Sequence, residues 1–303
     1  MLDVHRLTLL AAVIDSGSMT AAAQRLRYSP SAVSQQLRKL EAEVGQPLLH
    51  RRARGITATE AGVVLAAHAR RIDRALAAAQ ADLAELAGLR RGTLDIGTFP
   101  TIASSLLPLA VSRFRAQHPD VALTVRSARL DHLRAMLEDG TVGISLLWDY
   151  AWSRIDPADF ALTLLLDDPT ALVVGAGHWA AGHREITMGE LAGEDWIIRA
   201  HDHPVAKVLE RACRAAGFTP RIAFHANDYQ EAQAMVSIGL GIALAPRTAV
   251  INKHPRVRVV SLGRTAPARR ILLAHRHERV RAPAELAMHE ILVGTTREYR
   301  PTE

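Results

Sequence analysis

Apolar positions recur every three or four residues through the first 44 residues, and the pattern predicts three helices. Leu7, Leu10, Ala11 and Ile14 fall at i, i+3, i+4 and i+7, one buried face of a helix over 4–15. Asp15-Ser16-Gly17-Ser18 interrupts it, and Ser18 is placed to cap a short second helix ending near Arg27. Tyr28-Ser29-Pro30 makes the next turn, because a residue before proline is pushed out of the helical region. A third helix, Ser31 to Val44, turns Val33, Leu37, Leu40 and Val44 to the core. The β-prone pieces Leu48–Arg51 and Gly55–Thr57 flank Arg52-Ala53-Arg54 and predict a two-stranded wing with a basic tip. Thr59 can cap a long alanine-rich helix running to about Leu89. Its Leu65, Ala69, Ile72, Leu76, Ala79, Leu83 and Leu86 alternate by four and three, the spacing of an intermolecular coiled-coil seam. An amphipathic helix packed on its own domain is the other reading.

Beyond Gly92 the texture changes to alternating strands and helices. Thr93–Phe99, Ala122–Ala128 and Val142–Trp148 read as strands, with helices over 102–117 and 131–139 between them. That repeat implies parallel sheet and right-handed crossovers. A second set has strands near 160–166, 171–176, 196–198, 221–226 and 242–245 and helices near 204–216 and 229–238. Arg269–His275 adds a strand and 283–293 a terminal helix. The expected fold is an α-rich winged helix-turn-helix over 1–58, a linker helix over 59–91 and an α/β domain of two lobes over 92–303. Lobe 1 takes about 92–159 and 268–303, and lobe 2 about 160–267.

Charge sharpens the division. Of the formal net +6, residues 1–92 hold thirteen basic and eight acidic side chains, while the remaining 24 and 23 nearly cancel. A basic module joined to a balanced one suggests a polyanion binder with a separate neutral domain. The single cysteine, Cys213, excludes an intramolecular disulfide framework and cysteine-based zinc sites. No run approaches the ~20 apolar residues of a spanning helix, and no signal peptide is evident at the N-terminus, so a soluble cytoplasmic protein is expected.

Short helix, turn and longer helix is the arrangement whose second helix enters the major groove. The core positions of Ser31–Val44 leave Ser31, Ser34, Gln35 and Arg38 on another face. Arginine can reach guanine, glutamine adenine, and serine either base. Arg51, Arg52 and Arg54 in the wing are candidates for phosphate contacts. Residues 7–62 resemble the LysR-type transcriptional regulators. The resemblance rests on Gly17-Ser18, Ala21-Ala22, Leu26, Ser31, Val33-Ser34, Leu37, Leu40-Glu41, Gly45, Leu48, Arg51, Thr59 and Gly62. It continues in Leu107-Pro108, Phe114, His118-Pro119 and Val236 to Pro246. Leu49-His50, Ala58 and Val142-Gly143-Ile144 depart from the family pattern. The resemblance implies a winged helix, a dimerising linker helix, dimers that pair into tetramers, and an effector domain similar to periplasmic binding proteins.

Ligands of open α/β sheets bind beyond the carboxyl ends of strands. Thr98, Pro100, Thr101, Ser127 and Trp148 occupy such places in the first lobe, and Arg199, His201 and Asn227 in the second. Thr101 at a helix N-terminus, with Arg199 and His201 opposite, suggests an effector with a carboxylate. The bland alternative is that Thr101 and Asn227 cap helices and Arg199 is a surface charge. His201-Asp202-His203 and His275-Arg276-His277-Glu278 lack metalloenzyme spacing, and no nucleophile elbow, Walker lysine or complete dinucleotide motif occurs. The expectation is an effector-responsive, sequence-specific DNA-binding regulator with no cofactor or metal, acting as a homodimer or tetramer. The rivals are an architectural DNA-binding protein without a ligand and, behind it, an enzyme with a fused DNA-binding domain.

Overall fold

The computed structural model describes residues 2–52, 55–86, 92–199, 204–263, 267–277 and 281–299. The chain divides into two compact units, one of Met1–Arg90 with Glu138–Thr141 and one of Arg91–Leu137 with Val142–Glu303.

In the first unit, α1 (Val4–Ser16), α2 (Met19–Leu26) and α3 (Pro30–Val44) are followed by strands β1 (Leu49–Arg52) and β2 (Gly55–Ala58) and by α4 (Glu60–Leu86). The caps are local chemistry. Asp3 accepts from the His5 amide at 2.8 Å and Ser18 from Ala21 at 3.3 Å. Ser29 accepts from Ala32 at 3.2 Å, so α3 opens at Pro30, a residue earlier than its apolar pattern indicates. Leu9, Leu10, Val13, Ala22, Val33, Leu37 and Leu40 close the core between the three helices. The wing is fastened to it: Glu41 Oε1 accepts from the amides of Leu48 and Leu49 at 2.9 and 3.3 Å. Gly62 lets α4 lie against the chain entering β1, since a Cβ there would clash with the Leu48 carbonyl oxygen.

The α4 stripe is not one seam. Ala66 and Ala69 are fully buried in the unit's own core, and Leu65 and Ile72 pack against it. Leu76 and Leu83 are 51% and 65% exposed. Packing on its own domain therefore accounts for the first half of the pattern and leaves the second half open. The side chain of Leu86 lies outside the described residues.

The second unit holds two lobes on a mixed sheet in the order β4-β3-β5-β11-β6-β9-β7-β8, with a further strand on β6. In lobe 1, β3 (Thr93–Thr98) pairs in parallel with β4 (Ala122–Ser127) and β5 (Ile144–Tyr150). The connections are α5 (Pro100–Ala103), α6 (Leu106–Gln117) and α7 (Leu130–Glu138). The single helix expected over 102–117 is broken at Ser104–Ser105. Their hydroxyls donate to the carbonyls of Pro100 and Thr101 at 3.0 and 2.7 Å, bonds that compete with a continuing helix.

The two strands expected over 160–166 and 171–176 are one, β6 (Ala161–Gly175). Its first half pairs antiparallel with β11 (Ala268–His275) in lobe 1. Its second half pairs with β9 (Ile242–Pro246) and with β10 (Val257–Ser261), a strand the pattern did not reveal. The hand-over falls at Pro169–Thr170, beyond the Asp159 expected, where a proline costs the ladder least. β7 (Asp195–Arg199) and the edge strand β8 (Arg221–Ala226) complete lobe 2 with α8 (Pro204–Ala215) and α9 (Tyr229–Ser237). Gly241 admits β9 beside β7, since a Cβ there would meet the Asp195 carbonyl at 2.6 Å. The terminal helix α10 (Pro283–Glu298) runs a turn beyond its expected end and packs along α6.

Candidate functional site

Two surfaces carry candidate chemistry. On α3, Ser31, Gln35 and Arg38 are exposed and Ser34 is half-buried. With Ala32, Lys39 and Ala42, the three exposed residues line a shallow concavity. Arg38 Nη2 donates to Ser34 Oγ at 3.3 Å, so that pair shares one face a turn apart. The buried row Val33, Leu37 and Leu40 faces the opposite way and holds the helix against α1 and α2. The backbones of Arg51 and Arg52 lie in β1 opposite Ile56 and Gly55. Their side chains, and Arg54, lie outside the described residues.

The second surface is a cavity of about 300 Å³ at the junction of the lobes. Of the residues singled out from sequence, Pro100, Thr101, Ser127, Trp148 and Arg199 line it. Thr98 does not: its hydroxyl is fully buried and has no partner among the described residues. Asn227 is exposed and off the cavity wall; its carbonyl accepts from Arg199 Nε at 3.1 Å, and Asp228 caps α9. His201 lies outside the described residues.

Thr101 plays a different part from the one expected. It is the second residue of a helix of only four residues with no side-chain cap, too short to present much of a dipole. Instead Thr101 Oγ1 accepts from Arg269 Nη2 at 2.6 Å. Arg269, on β11, is the residue that sequence reasoning missed. It is 3% exposed, lines the cavity, and its guanidinium lies 5.2 Å from the Phe99 ring centre. Its Nε donates to Asp168 Oδ2 at 2.9 Å and its Nη2 to Thr248 Oγ1 at 3.0 Å. Asp168 is 1% exposed and also accepts from the amide and hydroxyl of Thr248, at 3.1 and 2.7 Å. This network joins Thr101 of lobe 1 to Thr248 of lobe 2 through both crossing strands. A buried pair survives this way, with the carboxylate's remaining lone pairs occupied by donors.

Aromatic residues form the rest of the junction. Phe99 and Trp148 are tilted rings 4.4 Å apart on the cavity wall. Tyr150 stacks on Trp152 at 4.8 Å, and Arg211 of α8 covers the other ring at 4.9 Å. Burial pushes the hydroxyls of Tyr150 and Tyr229 well above the ordinary tyrosine range, so both stay neutral donors beside Arg269 and Asp168. An architectural protein without a ligand calls for a filled cleft, and this one is open.

A helix-turn-helix with an exposed polar second helix, on one chain with a two-lobed α/β domain that has a cavity at its lobe junction, defines a DNA-binding regulator with a ligand-binding domain. Residues 4–63 match the bacterial regulatory helix-turn-helix proteins of the lysR family, and residues 87–297 match the LysR substrate binding domain. The chain belongs to the LysR family of transcriptional regulators. It is 28% identical over 277 residues to the hydrogen peroxide-inducible genes activator of Pectobacterium carotovorum subsp. carotovorum, covering 91% of this chain and 90% of that one. Its fold is similar to the OxyR C206 mutant of Corynebacterium glutamicum, with TM-score 0.61 and 24% identity over 98% of this chain and 92% of that one. It is also similar to full-length CbnR complexed with its target DNA, with TM-score 0.61 and 22% identity over 97% of this chain and all of that one. Among the described residues no helix is long and apolar enough to cross a membrane, and no group of three His, Cys, Asp or Glu residues is placed to hold a metal ion.

Proposed function

We propose that this regulator acts in the cytoplasm, reads its operator through Ser31, Ser34, Gln35 and Arg38, and responds to a small carboxylate-bearing effector in the lobe junction. The observation that carries the effector reading is Arg269, a buried guanidinium on the wall of an open cavity. Asp168 already offsets its charge, but among the described residues nothing accepts from its Nη1, and a carboxylate matches the planar guanidinium fork better than any neutral group. The effector shifts the balance between open and closed lobes by binding one more tightly. In this reading the chain binds and does not catalyse; among the described residues the junction offers hydrogen-bond donors and aromatic rings.

The exposed half of α4, with Leu76 and Leu83, supports pairing of two chains so that two recognition helices meet successive half-sites. Tetramers would form through the second domain. The peroxide response named for the Pectobacterium relative is not carried over. Cys213 is the one cysteine, it is buried in α8, and desolvation pushes its thiol up to about 12. A thiol in that state is a poor nucleophile, and an intramolecular disulfide has no second sulfur.

The test begins with mapping the genomic sites the full-length protein occupies. Acids related to the neighbouring genes are then titrated while affinity for one mapped site is followed by fluorescence anisotropy. A saturable change in affinity with one of them supports the reading; sites without a shared sequence would overturn it.

A further inference from the structure

Resting on the reading of α3 as the operator-reading helix, with the wing arginines on phosphates, we propose that Glu41 is a positioning residue for DNA binding. Its carboxylate holds the wing beside α3 and so sets how many phosphates the protein engages.

Three flanks of α3 have separate tasks. Val33, Leu37 and Leu40 are buried in the core, and Ser31, Gln35 and Arg38 are exposed. Glu41, three residues beyond Arg38 and four beyond Leu37, stands half-buried on the flank between them. An acidic side chain in the last turn of a helix opposes the helix dipole, so its place there calls for compensating contacts. The carboxylate has two. Oε1 accepts from the amides of Leu48 and Leu49 at 2.9 and 3.3 Å, and bonds to an ionised acceptor are stronger than neutral ones. The Glu41 backbone carbonyl also accepts from Gly45, the cap of α3, at 2.9 Å. One residue therefore grips both ends of the turn from α3 into β1.

Other ties fasten the wing to other elements. The Ile56 amide donates to the Gly17 carbonyl at 3.1 Å, and Thr59 Oγ1 to the Pro47 carbonyl at 2.9 Å. Of these ties, only that of Glu41 begins on the reading helix. Leu49 opens β1, and the Arg51 and Arg52 backbones follow on the same strand, about 7 and 10 Å from the held amide. Over so short a lever the wing keeps its register with α3, and phosphate contacts form together with base contacts. The apolar row of α3 does not involve Glu41, so cutting the tie leaves the reading helix packed and frees the wing from it.

Affinity of the full-length protein for a mapped operator and for a random-sequence duplex is measured by anisotropy over a series of salt concentrations. Glu41→Ala should flatten the fall of log affinity with log salt by about 1–2, one for each wing arginine released, and weaken both duplexes about equally. Glu41→Gln keeps an acceptor oxygen at the same reach and should restore the wild-type slope. Arg52→Ala should lower the slope by about 1 in the wild type and leave it unchanged in the Glu41→Ala background, a dependence that a carboxylate needed only for folding does not produce. Glu41→Met, apolar and of similar length, repeats the test if the alanine variant loses its helical circular dichroism. An unchanged slope in Glu41→Ala, an Arg52→Ala effect that persists in that background, or loss of fold in both the alanine and methionine variants would each overturn the coupling. If Arg38→Ala lowers the preference for operator over random DNA while Glu41→Ala keeps the wild-type slope, only this inference falls. If Arg38→Ala leaves that preference unchanged, the reading of α3 falls with it.

Discussion

Cutting one side of the Asp168–Arg269 pair should destabilise the second domain more than any other polar change in it. The two side chains are 1% and 3% exposed and 2.9 Å apart. Asp168→Ala leaves the guanidinium desolvated and unpaired, a loss of about 3–5 kcal/mol. Thr248 loses the acceptor for its amide and hydroxyl in the same step. For a domain of this size ~1 kcal/mol moves Tm by about 2–4 °C, so a fall of about 6–20 °C is expected. The assay is clean, because all four tryptophans, at 148, 152, 179 and 196, belong to the second unit. Urea unfolding followed by their fluorescence reports that domain without interference from the first. The control is Asp168→Leu with Arg269→Met, which removes both charges and should recover most of the loss, leaving about 1–2 kcal/mol for the stranded threonine hydroxyls. The two losses must therefore be strongly non-additive. A single variant costing under about 1 kcal/mol, or a double variant as damaged as the sum of its parts, would refute the view that this pair is desolvated and mutually dependent.

Arg38→Ala should cost about 1–3 kcal/mol on a mapped operator and much less on random DNA, measured by anisotropy on both. Equal losses on the two would take Arg38 off the base-reading face. Leu76→Glu with Leu83→Glu should shift the sedimentation coefficient toward the monomer while thermal unfolding of the first unit stays in place; Ile72 is unsuitable for this purpose because it packs in that unit's own core. Cys213 should resist a thiol reagent in the native protein and react once urea unfolds it, and rapid native labelling would contradict its burial. His289 is depressed below its ordinary value by burial and then by Arg281, so it contributes stability that is full above pH ~6.5 and is lost as pH falls below it. His289→Gln should flatten the fall of Tm below about pH 6.5, and an unchanged slope would assign that fall to other groups.

Local patterns in the sequence sufficed for the first unit, because its contacts are near in sequence and each apolar triad marks its own helix face. The heptad stripe of α4 misled for the same reason: periodicity shows that Ile72 and Leu83 share a face but not what covers each. In the second unit, Thr101 and Trp148 could be placed from strand ends alone. Arg269 could not, since its partners Asp168 and Thr101 are 101 and 168 residues away. Asp167-Asp168-Pro169 reads as a turn between strands, and its pairing with Arg270, Arg269 and Ala268 of β11, far along the chain, keeps it inside β6. Strand β10 went unseen because it is only five residues long and Arg258 interrupts its apolar run.

The place of β11 has a consequence for how the chain is made. It is an interior strand of the lobe 1 sheet, hydrogen-bonded to β5 on one side and β6 on the other, yet it is synthesised after all of lobe 2. While the ribosome works through residues 176–267, β5 and the first half of β6 stand with a missing neighbour between them, each presenting unpaired backbone to the cell. The hydrophobic core of the helix-turn-helix is closed by residues between Leu7 and Ile72, all of them made before that interval. A nascent chain of this regulator can thus have its DNA-reading helix packed well before its second domain is closed, and translation pauses after β6 would lengthen that window.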